Sequence, residues 1–317
     1  MLPLLTNSAV RENGHFDMTE PRGETNALKI AVVIATLGRP QILRETLREL
    51  KKQRRQPDSI LVSHCADKDI AGASVHEDGV SYVRGPLGLT SQRNTAINAL
   101  RAFDIIVFFD DDFFPCPEYL AIVEKAFQSN PSYQMITGTL LADGIHGPGL
   151  EPAAARSIIQ SDQGTSTPLR AREVYNGYGC NMSVRLAGML EQRVLFDENL
   201  PLYGWLEDVD FSRRLVHIGK IVRLDGARGV HLGVKSGRTT GVRLGYSQIA
   251  NPLYMIRRGT MSRPRALEQI MRNVIANTAK AMFPEPNIDR VGRLRGNLRA
   301  FSDLMRHCCH PKRILDL

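Results

Sequence analysis

Five apolar residues, Ile105, Ile106, Val107, Phe108 and Phe109, run without a break into three aspartates, Asp110, Asp111 and Asp112. The apolar run has the length of a buried strand, far short of the ~20 residues that cross a membrane. Its end is demanding, because carboxylates this close raise one another's pKa and resist burial. Two environments satisfy it. An acidic turn capping the next helix leaves the charges in water. A divalent cation neutralises them instead, and hard oxygen ligands so arranged suit Mg2+ or Mn2+ together with water and substrate phosphates. On a strand or its extension Asp110 and Asp112 point to one side and Asp111 to the other, so the first two are the expected ligands.

The segments before this strand read as the start of an α/β fold. Residues 28–35 are a β-branched apolar run that ends at Thr36-Leu37-Gly38-Arg39-Pro40. Ile42, Leu43, Leu47 and Leu50 then keep helical spacing, and Gln56-Pro57-Asp58 stops that helix before a second strand at 59–63. Such a βαβ unit implies a parallel sheet with a right-handed crossover. In open α/β sheets ligands bind at the carboxyl ends of the strands, which is where the aspartates fall. Residues 143–168 are rich in Gly, Pro, Ala and Ser and read as an irregular surface passage of the lid type. Residues 221–224 and 229–232 read as two short strands. Near the end, Leu267, Ile270, Met271, Val274 and Ile275 share one face of a helix.

A second acidic cluster, Glu207-Asp208-Val209-Asp210, lies far along the chain at the start of an amphipathic helix carrying Phe211, Leu215 and Ile218. Acids in a first helical turn are favoured by the helix dipole alone. Here Tyr203 and Trp205 precede them, and the single tryptophan beside paired carboxylates makes a sugar platform next to a general base.

These motifs, in this order, carry a resemblance. The run at 30–40, then Gly88-Leu89-Thr90-Ser91-Gln92-Arg93-Asn94, Phe109-Asp110-Asp111-Asp112, Phe196-Asp197-Glu198 and Glu207-Asp208-Val209-Asp210-Phe211 resemble the family 2 glycosyltransferases of GT-A fold, over about residues 28–233. The resemblance implies a Rossmann-like mixed sheet flanked by helices at 28–255; the composition before it reads as a disordered leader at 1–27, and the basic amphipathic stretch after it as a helical extension at 256–317. The resemblance also implies an inverting enzyme that uses a divalent cation and a nucleotide-sugar donor. Ala35, Thr36, Arg39, Arg93 and Asn94 would contact the nucleotide, joined by Asp110 and Asp111. Asp110 and Asp112 would hold the metal, which His231 completes. Asp208 would be the base and Glu207 would orient the acceptor, with Trp205, Tyr178 and Gly179 on the sugar and acceptor side. Where relatives place paired acids after the second strand to read uracil, this chain has Ser63-His64-Cys65-Ala66-Asp67. Asp67, Asp69 or a stacked His64 would have to substitute, and a UDP-sugar is the default.

Charge narrows the partners. Residues 257–317 hold 13 Lys and Arg against 5 Asp and Glu, which accounts for the whole net charge of +8. A basic tail beside a neutral body suits an anionic membrane or a lipid-linked acceptor, although a solvated arginine-rich face needs no partner. Within it, Arg290, Arg293, Arg295 and Arg299 alternate with Val291, Leu294, Leu298 and Phe301. No nucleic acid partner is expected, since interleaved aromatics are lacking. A nucleotidyltransferase would need a basic first loop, where 36–41 offers only Arg39, and no GxGxxG follows the first strand to suggest a dehydrogenase. Five cysteines without CxxC spacing fit a reduced compartment, and the adjacent pair in His307-Cys308-Cys309-His310 lacks zinc-site spacing. The expected location is cytoplasmic, with peripheral contact to the inner face of the plasma membrane.

Overall fold

The first strand, β1 (Ile30–Ala35), is buried on both faces, as a β-branched run without polar interruption requires. The computed structural model describes residues 27–72, 79–236, 239–283 and 285–317, so the expected leader lies outside the described residues apart from its last one. After β1 come α1 (Pro40–Leu50), β2 (Ser59–His64), β3 (Val80–Arg84), α2 (Leu89–Ala99) and β4 (Ile105–Asp110). The middle of the chain adds β5 (Phe113–Pro115), α3 (Tyr119–Ser129), β6 (Tyr133–Asp143), α4 (Pro152–Ser161), β7 (Ala171–Glu173), β8 (Asn181–Arg185), α5 (Leu186–Glu191), α6 (Glu207–Leu215) and β9 (Lys220–His231). Three helices follow, α7 (Gly241–Arg258), α8 (Arg263–Ala281) and α9 (Arg290–Met305).

The strands form one mixed sheet in the order β3-β2-β1-β4-β8-β6-β9-β5, with β7 on β9. The half from β3 to β4 is parallel, β8 runs antiparallel between β4 and β6, and β6 and β9 are again parallel. The pleat sorts the core into two layers. Val107 and Phe109 of β4 pack with Leu43, Leu47 and Tyr119 on one face. Ile106 and Phe108 pack with Met182, Phe196 and Phe211 on the other. Phe196 stacks on Phe211 at 3.9 Å and meets the Phe108 edge at 5.4 Å, which anchors the start of α6 to the sheet.

Three expectations are corrected. Residues 143–168 contain a helix, α4, started by Pro152 at its first position; its Arg156 pairs with Glu45 and, at 2.7 Å, with Glu49 of α1. The two short strands are one twelve-residue strand, β9. Gly229 there is no turn: a Cβ on it would come within 2.3 Å of the Phe113 ring, so glycine serves close packing of β5 on β9. On α8 the apolar face is split. Ala266 and Ile270 are buried with Asn277, while Leu267, Met271 and Ile275 face outward.

The helix α7 crosses residue 255 and packs on α9 so closely that a Cβ on Gly245 would lie 2.0 Å from the Arg293 carbonyl oxygen. It also holds the sheet domain. Asn251 donates to the Trp205 carbonyl (2.7 Å), the Tyr254 hydroxyl to Asp197 (2.7 Å), and the Thr260 hydroxyl beyond it to Asp210 (2.7 Å).

Candidate active site

Strand register brings the acidic groups together. β4 delivers Asp110, and a turn places Asp111 and Asp112 before β5. His231, the last residue of β9, pairs with Phe113 on one side and with Asp143, the last residue of β6, on the other. Asp110, Asp112 and His231 thereby offer one ligand atom each, all within 4.8 Å of one another. Two carboxylate oxygens and an imidazole nitrogen form a donor set that fits Mn2+ or Mg2+.

The electrostatics agree. Burial works to raise the Asp112 carboxyl, but His231, Arg39 and the Val234 amide (2.8 Å) outweigh it and hold it at about 2. Burial works to lower the His231 imidazole, yet Asp112 and Asp143 push it up to about 10. The carboxylates that keep a proton between them provide the field for a cation in its place. Asp143 was not singled out from the sequence. Its Oδ1 lies 2.8 Å from His231 Nδ1, and its Oδ2 accepts from the Tyr178 hydroxyl at 3.0 Å. That contact leaves His231 Nε2, 3.5 Å from Asp112 Oδ1, as the ring atom turned to the metal position.

Asp111 faces the other way. It is fully buried, accepts from the Thr36 hydroxyl (2.7 Å) and Arg39 Nε (3.1 Å), and pairs with Arg39 Nη2 (2.6 Å). Its carbonyl accepts from the Thr46 hydroxyl of α1 (2.6 Å). Burial raises Asp111 to about 7, with Arg39 opposing and Asp112 adding to the rise. Asp111 thus ties Arg39 and the β1 loop to the acidic turn.

Arg93 links the two acidic clusters. Its side chain, 2% exposed, reaches from α2 beneath the cavity; Nη1 donates to Glu207 Oε1 (2.6 Å) and Nη2 to Asp110 Oδ1 (3.2 Å) and the Gly179 carbonyl (2.7 Å). The guanidinium lies 5.6 Å and 5.2 Å from the Phe108 and Phe196 ring centres. Glu207 Oε2 is buried without a hydrogen-bond partner among the described residues, and burial raises this carboxyl while the Arg93 guanidinium, paired with it at 2.6 Å, opposes the rise. Asp208 is partly exposed, accepts from the Gly179 amide (3.1 Å), and is raised by desolvation.

One cavity of about 270 Å³ is lined by Asp110, Asp112, His231, Trp205, Glu207 and Asp208, with Tyr178 and Gly179 in its wall. A neighbouring cavity of about 260 Å³ shares Arg39 and Asp110 with it and extends past Ala35, Thr36, Leu37, Leu87 and Gln92 to Arg243 of α7. Between them runs the loop at 201–206, where Leu202 and Leu206 adopt positive φ (58° and 70°). Each such residue stores ~1–3 kcal/mol, and the bonds from Asn251 and from the Leu89 amide to Leu202 (2.8 Å) hold the strained loop.

Residues 27–219 match the family described as "Glycosyltransferase like family 2". The chain belongs to this family. Among solved structures, the glycosyltransferase is similar to the mannosyltransferase PcManGT from Pyrobaculum calidifontis, at 14% identity and a TM-score of 0.52 over 92% of this chain and 86% of that one. It is similar to S. aureus TarS at 17% identity and TM-score 0.51, over 82% of this chain and 45% of TarS. GalNAc-T7 gives 15% and 0.53, over 91% of this chain and 59% of that one. These likenesses establish the GT-A fold. No curated protein matches the sequence.

Other residues singled out in the glycosyltransferase sequence have different places. The Asn94 amide donates to the Phe196 carbonyl (2.9 Å) and Glu198 (2.8 Å) and accepts from the Phe196 amide (2.9 Å), tying α2 to the loop before α6; it lines neither cavity. Asp69 is buried and accepts from the amides of Gly38, Cys65 and Ala66, which closes the loops after β1 and β2. His64 is buried with Nδ1 3.2 Å from the Ala66 carbonyl. His64, Asp67 and Asp69 lie outside the lining of both cavities. Gln92, which donates to the Thr36 and Ser63 carbonyls (both 2.9 Å), and Arg243 were legible only once the fold placed them.

Proposed function

We propose that the protein is an inverting glycosyltransferase that moves a sugar from a nucleotide-diphosphate donor, a UDP-sugar by default, to a glycan or lipid-linked saccharide in surface or exopolysaccharide synthesis. The observation that carries this reading is the single cavity shared by the Asp110–Asp112–His231 group and the Glu207–Asp208 pair. PcManGT was solved with GDP-Man and Mn2+, and GalNAc-T7 with UDP, GalNAc and Mn2+, which supports a donor of this class. Asp110, Asp112 and His231 would hold a divalent cation, which would stabilise as a Lewis acid the charge that develops on the leaving diphosphate. Arg39 and Thr36 bind the donor beside it in the second cavity. Trp205 and Tyr178 bound the sugar and exclude water. The unpartnered Glu207 Oε2 accepts from an acceptor hydroxyl and orients it, and Asp208 takes the proton of the attacking hydroxyl. Among the described residues no helix is long and apolar enough to cross a membrane. The basic C-terminal segment supports a peripheral position on the cytoplasmic face of an anionic membrane.

The donor assignment is tested by thermal shift. With Mn2+, one of the UDP-, GDP- or dTDP-sugars is expected to raise the melting temperature, by the equivalent of about 2.7 kcal/mol at a hundredfold excess over Kd. Asp112→Ala is expected to lose that shift. A shift that persists without metal and in the variant would remove the metal-bridged donor from the mechanism.

Asp143 gives a second test. Asp143→Asn is expected to weaken Mn2+ binding by about 10–100-fold, because the His231 ring loses the carboxylate that fixes its orientation. Electron paramagnetic resonance of free Mn2+ reads the affinity directly. In a His231→Ala background the same change should have little further effect, and an equal loss there would show that Asp143 does not act through His231.

A further inference from the structure

The C-terminal helices leave a row of large apolar side chains uncovered. Leu267, Met271 and Ile275 of α8 are spaced four residues apart, which puts them in one line on the helix surface, and they are 54%, 59% and 60% exposed. Met282 and Phe283, just beyond the helix, are each 74% exposed as well. The inner face of α8 is complete without them. Ala266 and Ile270 are buried, and Asn277 donates to Gln248 (2.8 Å) of α7 and Asn297 (2.9 Å) of α9. Single exposed apolar residues are ordinary, but three aligned on one helix, with two more exposed just past its end, mark a binding surface.

We infer that this row docks the enzyme on an anionic membrane leaflet, with α8 lying in the interface plane. Charge decides the occupant. On α8, Arg263, Arg265, Arg272 and Lys280 are exposed against one acid, Glu268, and the segment from 257 onward holds the whole net charge of +8. A second copy seated on the row would bring two such basic helices face to face, where like charges repel; anionic headgroups complement them and the hydrocarbon boundary takes the apolar row. The position also suits the enzyme. Ala266, at the start of α8, packs with Leu206 and Val209 beside the catalytic helix α6, and the Arg265 guanidinium lies 3.6 Å from the Tyr175 ring centre. Docking here brings the Trp205 loop toward a lipid-linked acceptor, so the purpose of the surface rests on the acceptor proposed above, whereas its test does not.

The test is flotation of the full chain with phosphatidylcholine vesicles, with and without phosphatidylglycerol. The wild type is expected to float with the anionic vesicles and to be released by high salt. The triple variant Leu267→Ser, Met271→Ser, Ile275→Ser is expected to lose partitioning by on the order of a hundredfold while keeping its melting temperature, since the three side chains stand outside the core. A wild type that stays unbound overturns the inference, as does a triple variant that floats like the wild type. Light scattering that shows a wild-type dimer turned monomeric by the triple change assigns the row to a second copy and overturns it too. Vesicle binding by the Asp208→Asn variant separates docking from the catalytic reading, because loss of turnover there leaves the surface intact.

Discussion

Asp208→Asn is expected to lower kcat by on the order of 10²–10⁴-fold, the usual contribution of a positioned base, while Mn2+-dependent donor binding stays within error of wild type. The amide keeps the size of the side chain and its contact with the Gly179 amide but cannot take a proton. The pH profile gives a second reading of the same group. Burial raises the Asp208 carboxyl, with the Val209 and Gly179 amides and Arg93 opposing and Asp110 adding to the rise. The base works as the carboxylate, so kcat/KM of the wild type falls as pH drops through this raised value, above the ordinary aspartate range. The residual rate of the variant should lack that acid limb. Full turnover by Asp208→Asn, with the limb unchanged, would remove Asp208 from the chemistry.

The largest expected effect on stability belongs to Arg93→Met. Arg93 is the counter-charge to Glu207, which is 6% exposed and whose second carboxylate oxygen already lacks a partner. Removing one member of a buried pair strands the other, at a cost of about 3–5 kcal/mol. The contacts over Phe108 and Phe196 go with it. The sign with pH follows from the raised Glu207 carboxyl: its penalty is absent below the unfolded value, where the group is protonated in both states, and grows as pH rises toward the folded one. The deficit of Arg93→Met, measured by urea unfolding, should therefore shrink in acid. Adding Glu207→Gln should recover part of it at neutral pH, because Asp110, the other partner, is 31% exposed and remains solvated. A double variant no more stable than the single one would show that packing, not charge, is what Arg93 supplies.

The C-terminal half of the chain shows why a face cannot be oriented from periodicity. Helical spacing put Leu267, Ile270, Met271, Val274 and Ile275 on one stripe of α8, but packing against α7 and α9 took up Ile270 and part of Val274, with Ala266 and Asn277, and left Leu267, Met271 and Ile275 outside. Similarly on α9, Phe301 packs into the small core around Tyr246 and Ile249, whereas Leu298 is 61% exposed. The composition of 143–168 hid α4, since alanine and a leading proline serve a helix as readily as a loop.

What the sequence determined by itself is local and periodic. The three aspartates after an apolar run mark Asp110 and Asp112 as the expected pair, although a turn rather than strand alternation sets Asp111 apart; the apolar runs define β1, β2 and β4; the order of acidic motifs points to a glycosyltransferase. The partnerships that make the site work join residues remote in the chain, such as His231 with Asp143 at a separation of 88 and Arg93 with Glu207 at 114. No local propensity encodes them. They arise because β6, β9 and β4 end at one edge of the sheet and α2 passes beneath it, and only tertiary packing sets those ends side by side.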